Sequence, residues 1–389
     1  MQFSERIEKI PPYLFAELDR LKQEKIAQGV DVISLGIGDP DTPTAPFIVE
    51  AMKKAVEKSE HHVYPPYEGI KEFRQAVADF YERRYNVPDL NPKDEIIALL
   101  GSKEGIAHIS LAVLDPGDLL LVPDPGYPVY STGAVFAGAE SYIMPLLPEN
   151  RFLPDFGKIP SEVADRAKMM FLNYPNNPTA AVASMDFLKE AVAFAKKHNI
   201  IICSDNSYSE IFFDGYRPPS ILEVEGAKDV AVEFFSLSKP YNMTGWRIAS
   251  LVGNKDVVNA LLTIKKNLDS GTFTAVQEAA AVALNHGDSF IEDMRKIYDR
   301  RMNKMIPTLQ EMGIKVEKPK GSFYIWAPVP NGMTSIQFTR DLLERTGVIV
   351  TPGTGFGTHG EGFFRISLTQ PDHRIDEAVE RLAKTQVYA

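Results

Sequence analysis

Residues 231–239 read Ala-Val-Glu-Phe-Phe-Ser-Leu-Ser-Lys, a short and largely apolar run that ends in two serines and a lysine. An apolar run of this length, 231–236, is typical of a strand that helices cover on both faces. A lysine at the buried end of a strand is costly unless it is paired or takes part in chemistry. The stretch therefore predicts a buried strand and makes Lys239 a candidate functional residue.

More apolar runs of similar length occur along the chain, with helical patterns between most of them. Together with 231–236, the candidate strands cover 96–100, 119–122, 141–144, 169–172, 200–204 and 248–252. The helical patterns cover 103–114, 127–137 and 185–198. Strands that alternate with helices predict an α/β fold, with a large domain whose mostly parallel sheet is covered by helices.

The pattern changes near the end of this alternation. Two long helical patterns, 288–312 and 335–346, surround short candidate strands at 322–327, 348–350 and 363–368, which indicates a smaller α+β domain. We expect three parts: residues 1–44 as an N-terminal arm that joins the small domain, residues 45–285 as the large domain, and residues 286–389 as the small C-terminal domain.

Composition excludes several classes of protein. The chain has 389 residues, with 42 Lys and Arg against 52 Asp and Glu, and a formal net charge of −10. The acidic balance argues against nucleic-acid binding, and the single cysteine, Cys203, rules out an internal disulfide. No apolar run approaches the ~20 residues of a membrane helix, and the charged N-terminus leads into no signal segment, so we expect a cytoplasmic protein. The histidines show no spacing that indicates a metal site.

The candidate functional residues follow the predicted strands, where open α/β sheets bind their ligands. A desolvated lysine such as Lys239 can form a Schiff base with an aldehyde. Beside it, Ser236, Ser238 and Arg247 can hold an anion, because arginine presents a planar fork that suits phosphate. These four residues therefore predict a site for an aldehyde that also carries a phosphate.

Two further strand ends add to this site. Asp205 follows the run 200–204, with Tyr208 three residues on, and a buried carboxylate there needs a cation such as a protonated pyridine nitrogen. Gly101, Ser102 and Lys103 open a predicted helix, whose free N–H groups favour a phosphate.

Asn177 supplies an amide in a proline-rich turn, and Tyr127 supplies an aromatic face that can stack on a flat ring. With the lysine, the aspartate and the phosphate site, they indicate one cofactor, pyridoxal 5′-phosphate. By contrast, the glycine-rich run 353–357 precedes no helical pattern, so we interpret it as a loop near the site and not as a nucleotide-binding loop.

Seven short motifs are distributed over nearly the whole chain, in the order in which one protein family carries them. They are Gly36-Ile37-Gly38-Asp39-Pro40, Tyr64-Pro65-Pro66-Tyr67-Glu68-Gly69, Asp124-Pro125-Gly126-Tyr127-Pro128, Asn176-Asn177-Pro178-Thr179, Asp205-Asn206-Ser207-Tyr208, Ser236-Leu237-Ser238-Lys239 and Phe364-Arg365-Ile366-Ser367. The chain resembles the class I/II aminotransferases of fold type I. Within that family it is most similar to the LL-diaminopimelate aminotransferases, through residues 12–15, 101–106 and 239–247. It departs from the family pattern at Ala180 and Ala249, where glycine is usual.

The resemblance implies a role for each candidate residue. It implies that Lys239, Asp205 and Tyr208 are catalytic. It implies cofactor contacts for these three and for Ser102, Lys103, Tyr127, Asn177, Ser236, Ser238 and Arg247, with Tyr67 reaching in from a second subunit of a homodimer. It implies substrate contacts for Tyr13, Gly38, Lys103, Tyr127, Asn177 and Arg365, of which Arg365 takes the α-carboxylate.

The resemblance also implies a reaction. It is a ping-pong transamination between LL-2,6-diaminopimelate and 2-oxoglutarate in lysine biosynthesis. An aspartate, alanine or aromatic aminotransferase and a pyridoxal-phosphate β-lyase are the alternatives, because they share the lysine motif. A cofactor-sensing regulator of the same fold would need a DNA-binding segment, and residues 1–40 show neither the length nor the basic face for one.

Overall fold

The computed structural model describes residues 3–10, 14–330 and 332–384 of the chain. Within these residues the chain forms thirteen α-helices and twelve β-strands. The helices are α1 (Glu5–Lys9), α2 (Leu14–Ala27), α3 (Pro46–Val56), α4 (Lys71–Tyr85), α5 (Ser102–Val113), α6 (Val129–Ala137), α7 (Ser161–Arg166), α8 (Met185–His198), α9 (Lys255–Leu268), α10 (Thr274–His286), α11 (Asp288–Glu311), α12 (Ser335–Thr346) and α13 (Asp372–Ala383). The strands are β1 (Ile33–Ser34), β2 (Ile96–Leu99), β3 (Leu119–Asp124), β4 (Glu140–Pro145), β5 (Ala167–Asn173), β6 (Ile201–Asp205), β7 (Ala231–Ser236), β8 (Ala249–Gly253), β9 (Tyr324–Pro328), β10 (Val348–Ile349), β11 (Thr351–Pro352) and β12 (Phe363–Ser367).

Seven strands form the main sheet, in the order β2-β8-β7-β6-β5-β3-β4. Strand β8 runs antiparallel to both of its neighbours, and the other strands are parallel to one another. The predicted α/β fold with a mostly parallel sheet is confirmed. Since β5, β6 and β7 are adjacent and parallel, the residues that follow them meet at one edge of the sheet.

Alternation along each strand divides the apolar side chains between two cores. In β3, Leu120 and Val122 pack with α5, α6 and α9 on one face of the sheet. Leu121 points to the other face and packs with α3, α4, α8 and α10. Helices therefore cover both faces, which explains why the strand sequences are apolar throughout.

A third core lies in the C-terminal part of the chain. Helices α11, α12 and α13 pack there against the antiparallel sheet β11-β12-β9, around residues such as Met302, Phe338 and Phe364. Strand β1 pairs with β10, so part of the N-terminal arm joins this region. The domain boundaries expected near residues 45 and 285 stay a prediction.

Two elements differ from the sequence-based prediction. The helix expected from residue 127 begins at Val129, because Pro128 restricts the residue before it and takes the N-cap position. The single strand expected at 348–350 is divided into β10, which pairs with β1, and β11, which pairs with β12. None of the described helices is long and apolar enough to cross a membrane.

Candidate active site

A cavity of about 430 Å³ opens where β5, β6 and β7 end. It brings together most of the residues predicted from the sequence. Its lining includes Gly38, Ser102, Lys103, Tyr127, Asn177, Asp205, Tyr208, Ser236, Ser238, Lys239, Arg247 and Arg365. Two predicted residues are not among them: the side chain of Tyr67 is 41% exposed and lies outside the lining, and Tyr13 lies outside the described residues.

Lys239 stands three residues beyond the end of β7. Its Nζ donates a hydrogen bond to the Gly38 carbonyl oxygen at 2.5 Å, so it connects the chain after β7 to the segment between β1 and α3. Burial lowers the pKa of Lys239 to about 8, with the nearby guanidinium groups of Arg365 and Arg247 acting in the same direction. A larger part of its amine is therefore neutral near physiological pH than for an exposed lysine.

Asp205 is the last residue of β6 and is buried at the floor of the cavity. It accepts hydrogen bonds from the hydroxyls of Tyr130 at 2.8 Å and Ser207 at 2.5 Å. Burial raises the pKa of Asp205 despite these donors. No cationic side chain among the described residues forms an ion pair with it, so the carboxylate is available to a cationic atom of a ligand.

The buried carboxylate of Glu233 on β7 fixes the strand end that carries Asp205. It accepts hydrogen bonds from Ser204 Oγ at 3.0 Å and Asn206 Nδ2 at 2.9 Å, the two residues that flank Asp205. Because successive side chains of a strand alternate between faces, this contact lies on the face opposite Asp205. The hydrogen bonds therefore orient Asp205 without contacting it.

A candidate anion site lies at the N-terminus of α5. The Oγ of Ser102 is buried with no hydrogen-bond partner, and it lines the cavity. Arg247 donates from Nη2 to the Leu100 carbonyl at 3.4 Å and lies so close that a Cβ on Gly101 would be 2.2 Å from it. Gly101 also has a φ of +80°, which favours glycine. A helix N-terminus, an unpartnered hydroxyl and a guanidinium thus converge as a phosphate would require.

At the other side of the cavity, the guanidinium of Arg365 on β12 is held between two aromatic rings. Its Cζ lies 4.2 Å from the ring centroid of Tyr324 and 4.6 Å from that of Phe356. Its Nη1 donates to Asn177 Oδ1 at 2.5 Å and its Nη2 to the Gly36 carbonyl at 2.6 Å. These contacts fix the plane of a fork that is suited to a carboxylate.

Tyr324 lines the cavity but is not among the residues predicted from the sequence. Its hydroxyl is 3.0 Å from the hydroxyl of Tyr208, and its ring stacks on Arg365. A Cβ at Gly38 would lie 2.0 Å from the Tyr324 hydroxyl, so this approach of the arm requires glycine. Alternation in β9 predicts only a buried face; the contact with Tyr208 depends on how β9 packs against the main sheet.

The departure at Ala180 has a local consequence. Ala180 has a φ of +57°, in the left-handed region where an L-residue with a Cβ is strained and glycine is favoured. Its methyl group packs in the C-terminal core. The substitution therefore changes packing behind Asn177 but removes no functional group from the cavity.

Comparison with known proteins assigns the chain to a family. The model of the family "Aminotransferase class I and II" matches residues 30–382, and the chain belongs to that family. Its members depend in general on pyridoxal phosphate. The predicted resemblance is confirmed at the level of the family.

Individual relatives match over almost the whole chain. The LL-diaminopimelate aminotransferase of Aquifex aeolicus (strain VF5) is 56% identical over 381 residues, which is 98% of each chain. Among solved structures, substrate-bound BacF from Bacillus subtilis has a TM-score of 0.95 at 42% identity, and the match covers 99% of this chain and 98% of that one. A double mutant of Thermus thermophilus aspartate aminotransferase has a TM-score of 0.92 at 30% identity and 99% coverage of both chains.

Proposed function

We propose that this aminotransferase uses pyridoxal 5′-phosphate to exchange the amino group of LL-2,6-diaminopimelate with 2-oxoglutarate, a step of lysine biosynthesis. The observation that carries the cofactor is the cavity itself, in which Lys239, the buried Asp205 and the unpartnered Ser102 hydroxyl face one space. Relatives named LL-diaminopimelate aminotransferase, 56% and 53% identical, support the substrate. The proposal includes a cytoplasmic location, as expected from the sequence.

The cavity residues fit each part of the proposed cofactor. Ser102, Lys103, Ser236, Ser238 and Arg247 would hold the phosphate, because they supply the donors and positive charge that surround the N-terminus of α5. Asp205 would accept a hydrogen bond from the protonated pyridine nitrogen, which gives its buried carboxylate a cationic partner. Tyr127 would stack on the ring, and Asn177 and Tyr208 would donate to its phenolic oxygen.

When bound, pyridoxal phosphate supplies a reactive aldehyde and an electron-accepting ring. Lys239 would hold the cofactor through its amine and would take the proton from the substrate Cα. Arg365 binds the α-carboxylate in its fixed fork, assisted by the N–H of Gly38. Lys103 and Tyr13 would meet the rest of the substrate. Orientation by these groups turns the reaction into one between pre-positioned atoms.

The pKa of Lys239 sets a pH dependence for cofactor uptake. We expect the rate at which cofactor-free protein takes up pyridoxal phosphate to rise with pH and to level off at about pH 8, because only the neutral amine attacks the aldehyde. Below that pH each unit lowers the neutral fraction about tenfold. Stopped-flow absorbance of the yellow bound cofactor measures the rate. Levelling only near pH ~10.4, the value of an ordinary lysine, would contradict the assignment.

A half-reaction distinguishes the proposed substrate from the alternatives. Holoenzyme mixed with LL-diaminopimelate alone should lose its yellow absorbance at concentrations where aspartate, alanine and phenylalanine have little effect. Bleaching by one of these three in place of diaminopimelate would sink the substrate proposal and leave the aminotransferase assignment intact. Pyruvate and ammonia released from a cysteine-type substrate would favour the β-lyase instead.

The loop 63–67 supports the proposed homodimer. Val63, Tyr64 and Tyr67 are 68%, 85% and 41% exposed, and the loop lies against Gly271, so an apolar surface faces outward there. We propose that a second copy covers this surface and that Tyr67 enters the partner's cavity.

Mixed dimers test this arrangement. Lys239→Ala and Tyr67→Ala subunits, each weakly active alone, should regain about a quarter of wild-type activity when mixed in equal amounts, because half of the dimers then carry one intact site. If Tyr67 acted within its own subunit, no activity would return. Tyr64→Ala in place of Tyr67→Ala shows whether the effect belongs to Tyr67 or to the neighbouring exposed ring. Light scattering measures the mass of the protein and so shows whether it is a dimer.

A further inference from the structure

The segment 353–360, here called the clasp loop, belongs to the C-terminal part of the chain but is held by the main sheet. It forms two short 3₁₀ turns between β11 and β12, Gly353–Phe356 and Thr358–Gly360. The glycine-rich sequence 353–357 predicts only a loop near the site. It begins at the residue after β11 and leads into the strand that carries Arg365.

Asp124, the last residue of β3, anchors the clasp loop. Its carboxylate is 6% exposed and accepts hydrogen bonds from Thr358 N, Thr358 Oγ1 and His359 N, each at 3.1 Å, and it lies 3.3 Å from His359 Nδ1. A second contact follows two residues later, where Gly126 N donates to the Phe356 carbonyl at 2.8 Å. A buried carboxylate satisfied by N–H and hydroxyl donors is a rigid attachment.

The anchor lies next to the ring that covers Arg365. Phe356 is 4% exposed and stacks on the Arg365 guanidinium at 4.6 Å. Between Phe356 and Thr358 stands Gly357, whose φ is +129° and where a Cβ would lie 2.1 Å from Asp124 Oδ1. The clasp loop is therefore held against the Asp124 carboxylate at residues 357–359, directly after Phe356.

We propose that Asp124 is a positioning residue for substrate binding: it holds the clasp loop so that Phe356 keeps the Arg365 guanidinium in the plane that receives a carboxylate. This inference rests on the proposed function, in which Arg365 binds the α-carboxylate. Asp124 is not among the described residues that line the cavity; Phe356 connects the loop it anchors to Arg365, which does line the cavity. Because both substrates of the exchange carry an α-carboxylate, the effect applies to both.

The inference is tested on holoenzyme with glutarate, a dicarboxylate that has neither an amine nor a ketone. Asp124→Ala and Phe356→Leu should each weaken glutarate binding about tenfold, since a desolvated cation–π contact is lost. The double variant should lose no more than the stronger single variant, because both changes release the same contact. In steady state, KM for the amino acid and for the 2-oxo acid should rise by the same factor while kcat stays within about twofold.

Glu361→Gln provides the matched control. Glu361 follows the clasp loop directly and accepts from the backbone of Ser335 and Gly362 at 2.8 and 2.9 Å, all within the C-terminal part of the chain. The Glu361→Gln variant should bind glutarate as tightly as the wild type does. If Asp124→Ala does not fold, Phe356→Leu and Thr358→Val give the same comparison with smaller changes.

Four results would overturn the inference. Additive losses in the double variant would show that Asp124 and Phe356 act separately. A fall in kcat with unchanged glutarate affinity would place Asp124 in the chemical step. Wild-type holoenzyme that fails to bind glutarate would remove the proposed role of Arg365 itself, whereas wild-type binding with unchanged variants would refute only the role of Asp124.

Discussion

Lys239→Ala is expected to lower transamination by about 10⁴-fold and to leave the fold intact. The wild-type amine has a pKa of about 8 and lies against the Gly38 carbonyl, so it can gain and lose a proton where the substrates bind. Alanine supplies neither the amine that reacts with the cofactor nor the proton carrier. Formation of 2-oxo acid in a single turnover, followed with the cofactor in excess, measures the loss.

Lys239→Arg separates the charge from the chemistry. Arginine keeps the positive charge but does not deprotonate in proteins, so this variant should be as inactive as the alanine variant. Lys197→Ala, at an exposed position on α8, should behave as the wild type and controls for the removal of a lysine. Full turnover by Lys239→Ala would show that another group carries the proton and would refute the proposed mechanism.

The sequence predicts much of this architecture because the relevant signals are local. An apolar run such as 231–236 matches β7, and the helical pattern 185–198 matches α8, since each pattern depends on its own residues. The convergence of Ser236, Asp205 and Asn177 then follows from topology: in a parallel sheet the ends of neighbouring strands lie at one edge.

Contacts between separate elements are what the sequence does not predict. Tyr324 reaches Tyr208 across 116 residues of sequence, and Asp124 reaches the clasp loop across 234. No sequence spacing predicts either contact, because both depend on how the C-terminal core packs against the main sheet. The candidate anion site at the N-terminus of α5 falls between these two cases. The sequence predicts its residues, but only the structure shows how closely Arg247 approaches Gly101.

Asp205→Asn is expected to lower kcat by about 10²–10³-fold with little change in the KM of either substrate. Tyr130 and Ser207 donate to different oxygens of Asp205, so asparagine keeps one of the two acceptors and presents an amide N–H, which a hydroxyl can accept, at the other. Its size and shape match those of aspartate, so the strand end keeps its shape. It removes the negative charge that would hold the pyridine nitrogen protonated, and that charge has a large effect because the site is buried. Steady-state kinetics measures kcat and KM separately. Asp205→Glu, which keeps the negative charge, should retain more activity than Asp205→Asn.

The same substitution should stabilise the protein without its cofactor. Burial raises the pKa of Asp205, so the folded state holds this proton more tightly than the unfolded state, and stability falls as pH rises above the ordinary carboxyl range. Asparagine has no proton to lose, so thermal unfolding of cofactor-free Asp205→Asn should occur at a higher temperature than the wild type at neutral pH and at the same temperature in acid. A variant both inactive and less stable would indicate that Asp205 holds the fold together. Opposite changes in stability and activity are expected only if the carboxylate is kept for a cationic ligand.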